Sequence, residues 1–164
     1  MLYGLESGDD RMLALLKKGN TVADNRQAVR WAKDAGLEVR ADFIVGTPGE
    51  TRESLQRTLA FALELDLDYA HFNKFVPFPG TELYARLVEQ GRTFEFGDRC
   101  SILDHEAIYC VPEGMTAEEF KRFLDQANRT FYLRPRYMLR RLARIRTADQ
   151  FVGQLKGFLA IRGL

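Results

Sequence analysis

The stretch Asp42-Phe43-Ile44-Val45-Gly46-Thr47-Pro48-Gly49-Glu50-Thr51 decides the fold predicted for this chain of 164 residues. Phe43, Ile44 and Val45 form a short apolar run that is typical of a buried strand. Two glycines and a proline then make a turn, and Thr51 is placed to cap a helix. Loops that follow the carboxyl ends of strands hold ligands in α/β proteins, so this loop is a candidate binding site. The alternative is a structural turn that binds nothing.

The same order of strand, turn and helix occurs on both sides of this stretch. Upstream, a strand end runs into Gly-Leu-Glu-Ser-Gly at residues 4–8 and then into two helices. Downstream, a strand predicted at Tyr69–Val76 ends in Pro-Phe-Pro-Gly-Thr at residues 77–81, and a further helix ends at Gly91. Three such units predict right-handed crossovers and a parallel sheet. Their loops then lie at one edge of the sheet, where they can converge on one ligand.

The alternation stops after Gly91, so we predict two parts, a barrel part at residues 1–91 and a mixed, then helical extension at residues 92–164. In the extension, the capping box Thr116-Ala-Glu-Glu119 predicts a helix to about Leu133. Arg134-Pro135 ends that helix because proline disfavours the helical conformation of the residue before it. Two further helices are predicted at Arg136–Arg146 and Asp149–Ile161, and short strands or extended loop at Thr93–Phe96 and Ile102–Val111.

The composition is that of an ordinary globular protein, with 46% hydrophobic residues, 29% charged residues and a net charge of +1. No stretch has the length and apolarity of a membrane span or the pattern of an export leader. Two cysteines are too few for a disulfide framework. We therefore expect a cytoplasmic protein with no membrane partner.

Four segments taken together resemble the carboxyl-terminal half of a radical S-adenosylmethionine (SAM) enzyme. Their order and spacing fit the cobalamin-binding-domain subgroup best, and the similarity covers residues 2–87. The resemblance implies an α/β fold, a partial (β/α) barrel of six units of which this chain holds about the last three, followed by a mostly α-helical tail. The segments are residues 4–8, Lys18-Gly19-Asn20-Thr21, residues 43–51 and Pro77-Phe-Pro-Gly-Thr-Glu-Leu-Tyr84.

The resemblance also implies a function. In the family, a 4Fe-4S cluster reduces SAM to a 5′-deoxyadenosyl radical that abstracts hydrogen from a small-molecule substrate, or a methyl group passes by way of cobalamin. Carried over to this chain, Glu6 and Ser7 are polar contacts to SAM. The adenine wall and the residues beside it are Ile44, Val45, Gly46, Phe75, Val76 and Pro77.

One departure from the family is decisive for this segment. The family holds its cluster through Cys-x-x-x-Cys-x-x-Cys, and this sequence has only Cys100 and Cys110, ten residues apart. We expect the cluster cysteines in a missing amino-terminal half, and the segment alone to be inactive. The alternative is a half-barrel that binds SAM without catalysis or docks on a separate cluster-bearing chain. The exposed strand edges of a half-barrel favour self-association.

Single residues in this part of the chain also have alternative roles. Glu6 can complement a helix amino terminus, and Glu50 is interpreted as a carboxylate that braces its turn rather than as a catalytic group. Asp42, Asn73 and Lys74 lie on strands that can point into the barrel, although Asn73 can equally be a core amide.

The histidines and arginines lead to less specific sites. His71 and His105 lie far apart in the sequence, which argues against a zinc site. Six arginines between Arg134 and Arg146 can contact RNA phosphates, as in an RNA-modifying relative. We favour instead a helix with a solvated basic face that packs its apolar side, formed by Tyr132, Tyr137, Leu139, Leu142 and Ile145.

Overall fold

The structure is a computed structural model that describes residues 1–94, 107–143, 145, 147 and 152–153. Its three strands form one parallel sheet in the order β1-β2-β3. They are β1 Leu2–Glu6, β2 Arg40–Val45 and β3 Tyr69–Lys74. The helices of the described residues are α1 Asp10–Leu15, α2 Val22–Asp34, α3 Arg52–Glu64, α4 Glu82–Glu89, α5 Ala117–Tyr132 and α6 Pro135–Ala143.

The predicted fold class is confirmed, since three consecutive β/α units with a parallel sheet precede a helical tail. Boundaries differ by a few residues: β3 ends at Lys74 rather than Val76, and α6 begins at Pro135. Proline is accommodated at a first helical position because its missing N–H has no helical partner there. Of the helix predicted at Asp149–Ile161 only residues 152–153 are described, and they are helical. Half of the extended segments predicted between residues 93 and 111, residues 95–96 and 102–106, lies outside the described residues.

Four threonines set the starts of four helices, as the sequence predicts. Thr21, Thr51, Thr81 and Thr116 each accept a hydrogen bond from the backbone N–H of the third helical residue. In three of the four, that third residue also bonds back to the threonine N–H, which completes a capping box. These contacts are local in sequence, and they fix where each helix leaves its loop.

The hydrophobic core lies on one face of the sheet. Phe43 and Phe72 on neighbouring strands stack there with ring centroids 5.4 Å apart, and α3 covers them with Leu55 and Phe61. Phe131 of α5 belongs to the same buried cluster. The described part of the tail, residues 107–143, thus shares a core with the three β/α units.

The solvated basic face predicted at α6 is present only in part, because Arg136 is exposed whereas other arginines there bond to the protein. Arg134 donates to the carbonyl of Leu63 at 2.8 Å, and Arg141 is buried, while Leu139 and Leu142 are exposed. The reason is chemical, because Leu63 lies in the last turn of α3, whose carbonyls lack helical partners. An arginine satisfies such a carbonyl while its stem covers apolar surface, which a leucine does not do.

No helix of the described residues is both long and apolar enough to cross a bilayer.

Candidate functional site

The carboxyl ends of the three strands bring three loops to one edge of the sheet. These loops are residues 7–9, 46–51 and 75–81, and they follow β1, β2 and β3 in turn. The parallel register continues to the ends of β2 and β3, where Val45 pairs with Lys74. The predicted convergence of the three loops is therefore present in the fold.

Glu6 ends β1 in an unusual backbone conformation. Its φ is 61°, in the left-handed region that residues with a Cβ rarely adopt. Its carboxylate lies over Gly4, since a Cβ added at Gly4 would clash with Glu6 Oε1. That carboxylate accepts a hydrogen bond from Lys18 Nζ at 2.8 Å. Lys18 follows α1, so α1 and β1 together hold the Glu6 carboxylate on the side of the sheet opposite the core.

Ser7 is held differently from its neighbour. It is buried, and its hydroxyl lies 3.1 Å from the hydroxyl of Thr58 in α3. The same Ser7 oxygen accepts the N–H of Asp9, which caps α1. Ser7 therefore joins β1 to α3, and the role of Ser7 as a SAM contact stays a prediction.

The loop after β2 is braced from within by a buried carboxylate. Glu50 Oε2 accepts the N–H groups of Gly46 at 2.5 Å and Thr47 at 3.2 Å. Gly46 and Gly49 have φ of 78° and 79°, which the tight turn requires and glycine adopts without strain. Glu50 thus braces its turn, as the sequence analysis interprets it.

Two buried oxygens of this loop are left without hydrogen-bond partners among the described residues. They are Oε1 of Glu50 and Oγ1 of Thr47. Burial raises the pKa of Glu50 to about 7, while the two backbone N–H donors lower it by less. The carboxyl group is therefore balanced between its neutral and charged forms near neutral pH.

The flat ring next to Gly46 belongs to the protein itself. A Cβ at Gly46 would stand 2.7 Å from Phe120 Cζ, and Phe120 of α5 is fully buried. Phe120 thus fills the space that the missing Cβ of Gly46 leaves. Ile44 and Val45 project to opposite faces: Val45 lies in the main core, and Ile44 packs beside Phe75 in a second cluster.

A cleft lies at the carboxyl edge between α1 and α4. It has a volume of about 290 Å³, and a neighbouring cleft of about 350 Å³ shares three of its lining residues, Leu15, Leu83 and Arg86. Phe75 and Val76 line the first cleft, and Pro77 is buried in the loop that follows. Both clefts are mostly lined by apolar side chains, which suits a flat aromatic ligand.

Charged residues bridge the mouth of the first cleft. Lys17 after α1 pairs with Glu82 at the start of α4, and Arg86 donates to the same Glu82 carboxylate at 2.5 Å. Leu15, Leu16 and Lys17, in and just after α1, also line the cleft, and no motif in the sequence indicates this. The contribution of α1 follows only from the proximity of α1 and α4 in the fold, because the two helices are more than sixty residues apart in the chain.

Comparisons with known proteins match this part of the molecule. Residues 1–62, which include β1, β2 and the loop braced by Glu50, match the family model described as "Radical SAM superfamily". The chain belongs to the radical SAM superfamily.

Three curated relatives give the range of the similarity. An uncharacterized methyltransferase of Pyrococcus horikoshii is 34% identical over 145 residues, 84% of this chain and 30% of the relative. An anaerobic magnesium-protoporphyrin IX monomethyl ester cyclase of Cereibacter sphaeroides is 29% identical over 80% of this chain and 21% of the relative. A tRNA-2-methylthio-N(6)-dimethylallyladenosine synthase of Baumannia cicadellinicola is 38% identical over 47% of this chain and 18% of the relative. The chain spans less than a third of each.

The residues of this radical SAM segment do not fit a 4Fe-4S cluster. The sequence lacks the three-cysteine motif, and the described residues contain no group of three or more metal-ligating side chains. Cys110 is buried, and burial raises the pKa of its thiol, which disfavours the thiolate that a cluster binds.

Proposed function

We propose that this chain is the SAM-binding part of a radical SAM enzyme whose cluster is held outside the segment. The observation that carries the proposal is the apolar cleft at the carboxyl edge of the sheet, lined by Phe75 and Val76. A cleft at this edge is where parallel α/β folds bind their ligands. Membership of the radical SAM superfamily makes SAM the ligand of choice.

The residues around the cleft would bind SAM and exclude water from it. Phe75, Val76 and Leu83 offer apolar surface to the adenine, and burying such surface favours binding by about 25 cal/mol per Å². The Glu6 carboxylate can accept hydrogen bonds from hydroxyl or ammonium groups of SAM after exchanging its contact with Lys18. SAM supplies the radical or the methyl group of the family's chemistry, and this chain positions it.

The partner of this segment would add at strand β1. β1 pairs with β2 on one side, and no strand of the described residues lies on its other side. Met1 and Leu2 are 62% and 58% exposed there, and an open edge invites pairing with another strand. We propose that the cluster-bearing part, upstream in the same protein or in a separate chain, pairs with β1.

Methyl transfer is the reaction we favour within the family, because one of the relatives is named a methyltransferase. We propose cobalamin as the methyl carrier only from the resemblance of the four segments to the cobalamin-binding-domain subgroup. Another relative is named for a tRNA modification. RNA binding by this segment is not favoured, since Arg134, Arg140 and Arg141 donate to groups of the protein itself. Arginines engaged in this way are less available to phosphates.

The test is direct binding of SAM to the chain, measured by isothermal titration calorimetry. Leu83→Trp fills the cleft from α4, whereas Val88→Trp makes a similar change on the same helix at a position that does not line the cleft and is 45% exposed. We expect SAM to bind the wild type and Val88→Trp alike, and Leu83→Trp to bind at least about tenfold more weakly. Equal binding by both variants, or none by the wild type, would refute the proposal.

The cluster-bearing partner is tested by reading the coding frame upstream of Met1. A continuous frame that carries Cys-x-x-x-Cys-x-x-Cys would place the cluster in the same protein, and an additional α/β domain would support cobalamin. A stop codon next to a start signal would favour the separate-chain alternative. In either case we expect the isolated segment to bind SAM without cleaving it.

A further inference from the structure

The two edge strands of the sheet, β1 and β3, differ in how their outer sides are covered. In a parallel pair, alternate residues of a strand direct their backbone groups toward the neighbouring strand. Tyr69 and Phe75 of the β3 segment donate to carbonyls of the β2 segment, so the residues between them alternate. Ala70 therefore directs its N–H and C=O away from β2, toward the outer edge of the sheet.

A single side chain occupies both backbone groups of Ala70. The Tyr132 hydroxyl accepts the Ala70 N–H at 3.2 Å and donates to the Ala70 C=O at 2.8 Å. This is the same donor and acceptor pair that an added strand would use. The tyrosine thus imitates one residue of a neighbouring strand, although it comes from the last turn of α5.

The ring of Tyr132 is held firmly in this position. It packs edge-on against Phe131 with centroids 4.9 Å apart, and edge-on against Tyr137 with centroids 5.4 Å apart. The corner between α5 and α6 is in turn fixed to the segment before β3. Tyr137 donates to the Asp68 carbonyl at 2.9 Å, and Arg140 donates to the Leu67 carbonyl at 2.5 Å.

We infer that the α5–α6 corner is a strap that closes the β3 edge, with the Tyr132 hydroxyl as the group that prevents strand pairing at Ala70. Strand addition is then possible at β1 alone. The sheet can take one partner strand but cannot propagate from both edges, and such propagation is the hazard of an exposed sheet. This inference rests on the hydrogen bonds of Ala70 and does not depend on SAM binding.

The test compares two tyrosine-to-phenylalanine variants of the full chain. Tyr132→Phe removes the edge contact and keeps the ring, so the packing of the corner is preserved. Tyr3→Phe is the matched control, because it removes a tyrosine hydroxyl whose bond, to the carbonyl of Ala28, involves neither the β3 edge nor the α5–α6 corner. Amide hydrogen exchange at Ala70 is measured by NMR, and association by sedimentation velocity.

We expect exchange at Ala70 to become about tenfold faster in Tyr132→Phe, which corresponds to the loss of one hydrogen bond. Sedimentation should show larger species for Tyr132→Phe than for the wild type at the same concentration, and none for Tyr3→Phe. Unchanged exchange at Ala70 would overturn the inference. So would faster exchange without association, or equal association of both variants.

Discussion

Two buried carboxylates lie at opposite ends of the parallel sheet, and they are treated in opposite ways. Asp68 is at the amino end, where its Oδ2 accepts Lys33 Nζ at 2.6 Å and the Val39 N–H at 2.9 Å. Glu50 is at the carboxyl end, where backbone N–H groups bond to one oxygen and the other has no partner in the described residues. Each side chain is almost fully buried.

The difference indicates that the amino end of the strands serves stability and the carboxyl end serves function. A buried carboxylate with a cation beside it is stable in its charged form, and removing it leaves the cation uncompensated. A buried carboxylate without a cation is costly when it is charged. The costly group, the left-handed Glu6 and the apolar cleft are all at the carboxyl edge, where folds of this kind place their ligands.

The largest expected effect is at the amino end. Asp68→Ala leaves Lys33 and the Val39 N–H without their common partner, so we expect a loss of about 3–5 kcal/mol in the free energy of unfolding. Asp66→Ala is the control, because Asp66 lies 3.9 Å from the same Lys33 Nζ and pairs with Arg140 but is half exposed. We expect it to lose no more than about 1 kcal/mol. Denaturant unfolding measures both. Similar losses would mean that Asp68 does not anchor this end.

The carboxyl end is tested by Glu50→Gln. Burial raises the pKa of Glu50 to about 7 from the ordinary 4.5, so the folded state prefers the neutral acid. Its stabilising contribution is present below pH 4.5 and is lost as the pH rises through 7, at a cost of roughly 3 kcal/mol. Glutamine keeps an acceptor for the two N–H groups and has no charge. We therefore expect the variant to be more stable than the wild type at pH 8 and similar to it at pH 4.

The control for Glu50→Gln is Glu53→Gln, in the first turn of the helix α3 that follows the loop. Glu53 is exposed, and its pKa is lowered by hydrogen bonds to its own backbone N–H and to Thr51. That variant should lose stability at high pH rather than gain it. If the unfolding free energy of Glu50→Gln followed the wild-type dependence on pH, Glu50 would not be the group that titrates.

Much of the fold could be predicted because it depends on local sequence. The threonine caps, the glycine turns and the apolar runs each determine their element within a few residues, and they predict the three β/α units. The contacts that join distant elements are different. Tyr132 meets Ala70 across 62 residues, and Phe120 reaches Gly46 across a similar span. No spacing in the sequence indicates such pairs.

The candidate site could be predicted only in part, because local sequence determines some of its residues and tertiary packing determines the others. The loops and the cleft residues Phe75 and Val76 lie at the expected edge. Ile44 and Val45, placed together on one wall by the resemblance, project to opposite faces because successive residues of a strand alternate. That alternation was available from the sequence. The cleft wall contributed by α1 depends on tertiary packing and could not be predicted from the sequence.

The smallest expected effect on stability is that of Glu6→Gly. This variant distinguishes the backbone strain at Glu6 from the role of its carboxylate in binding. Glycine adopts a φ of 61° without the cost of about 1 kcal/mol that a Cβ incurs. The lost ion pair with Lys18 is partly exposed and contributes at most about 1 kcal/mol. The two changes offset each other, so we expect the free energy of unfolding to change by less than about 1 kcal/mol. SAM binding should weaken by about tenfold, because one charge-assisted hydrogen bond is lost.

Lys18→Met removes the same ion pair but keeps both the strain and the carboxylate, and it should leave SAM binding intact. A loss of SAM affinity in Lys18→Met equal to that in Glu6→Gly would show that the ion pair, and not the carboxylate, serves the ligand.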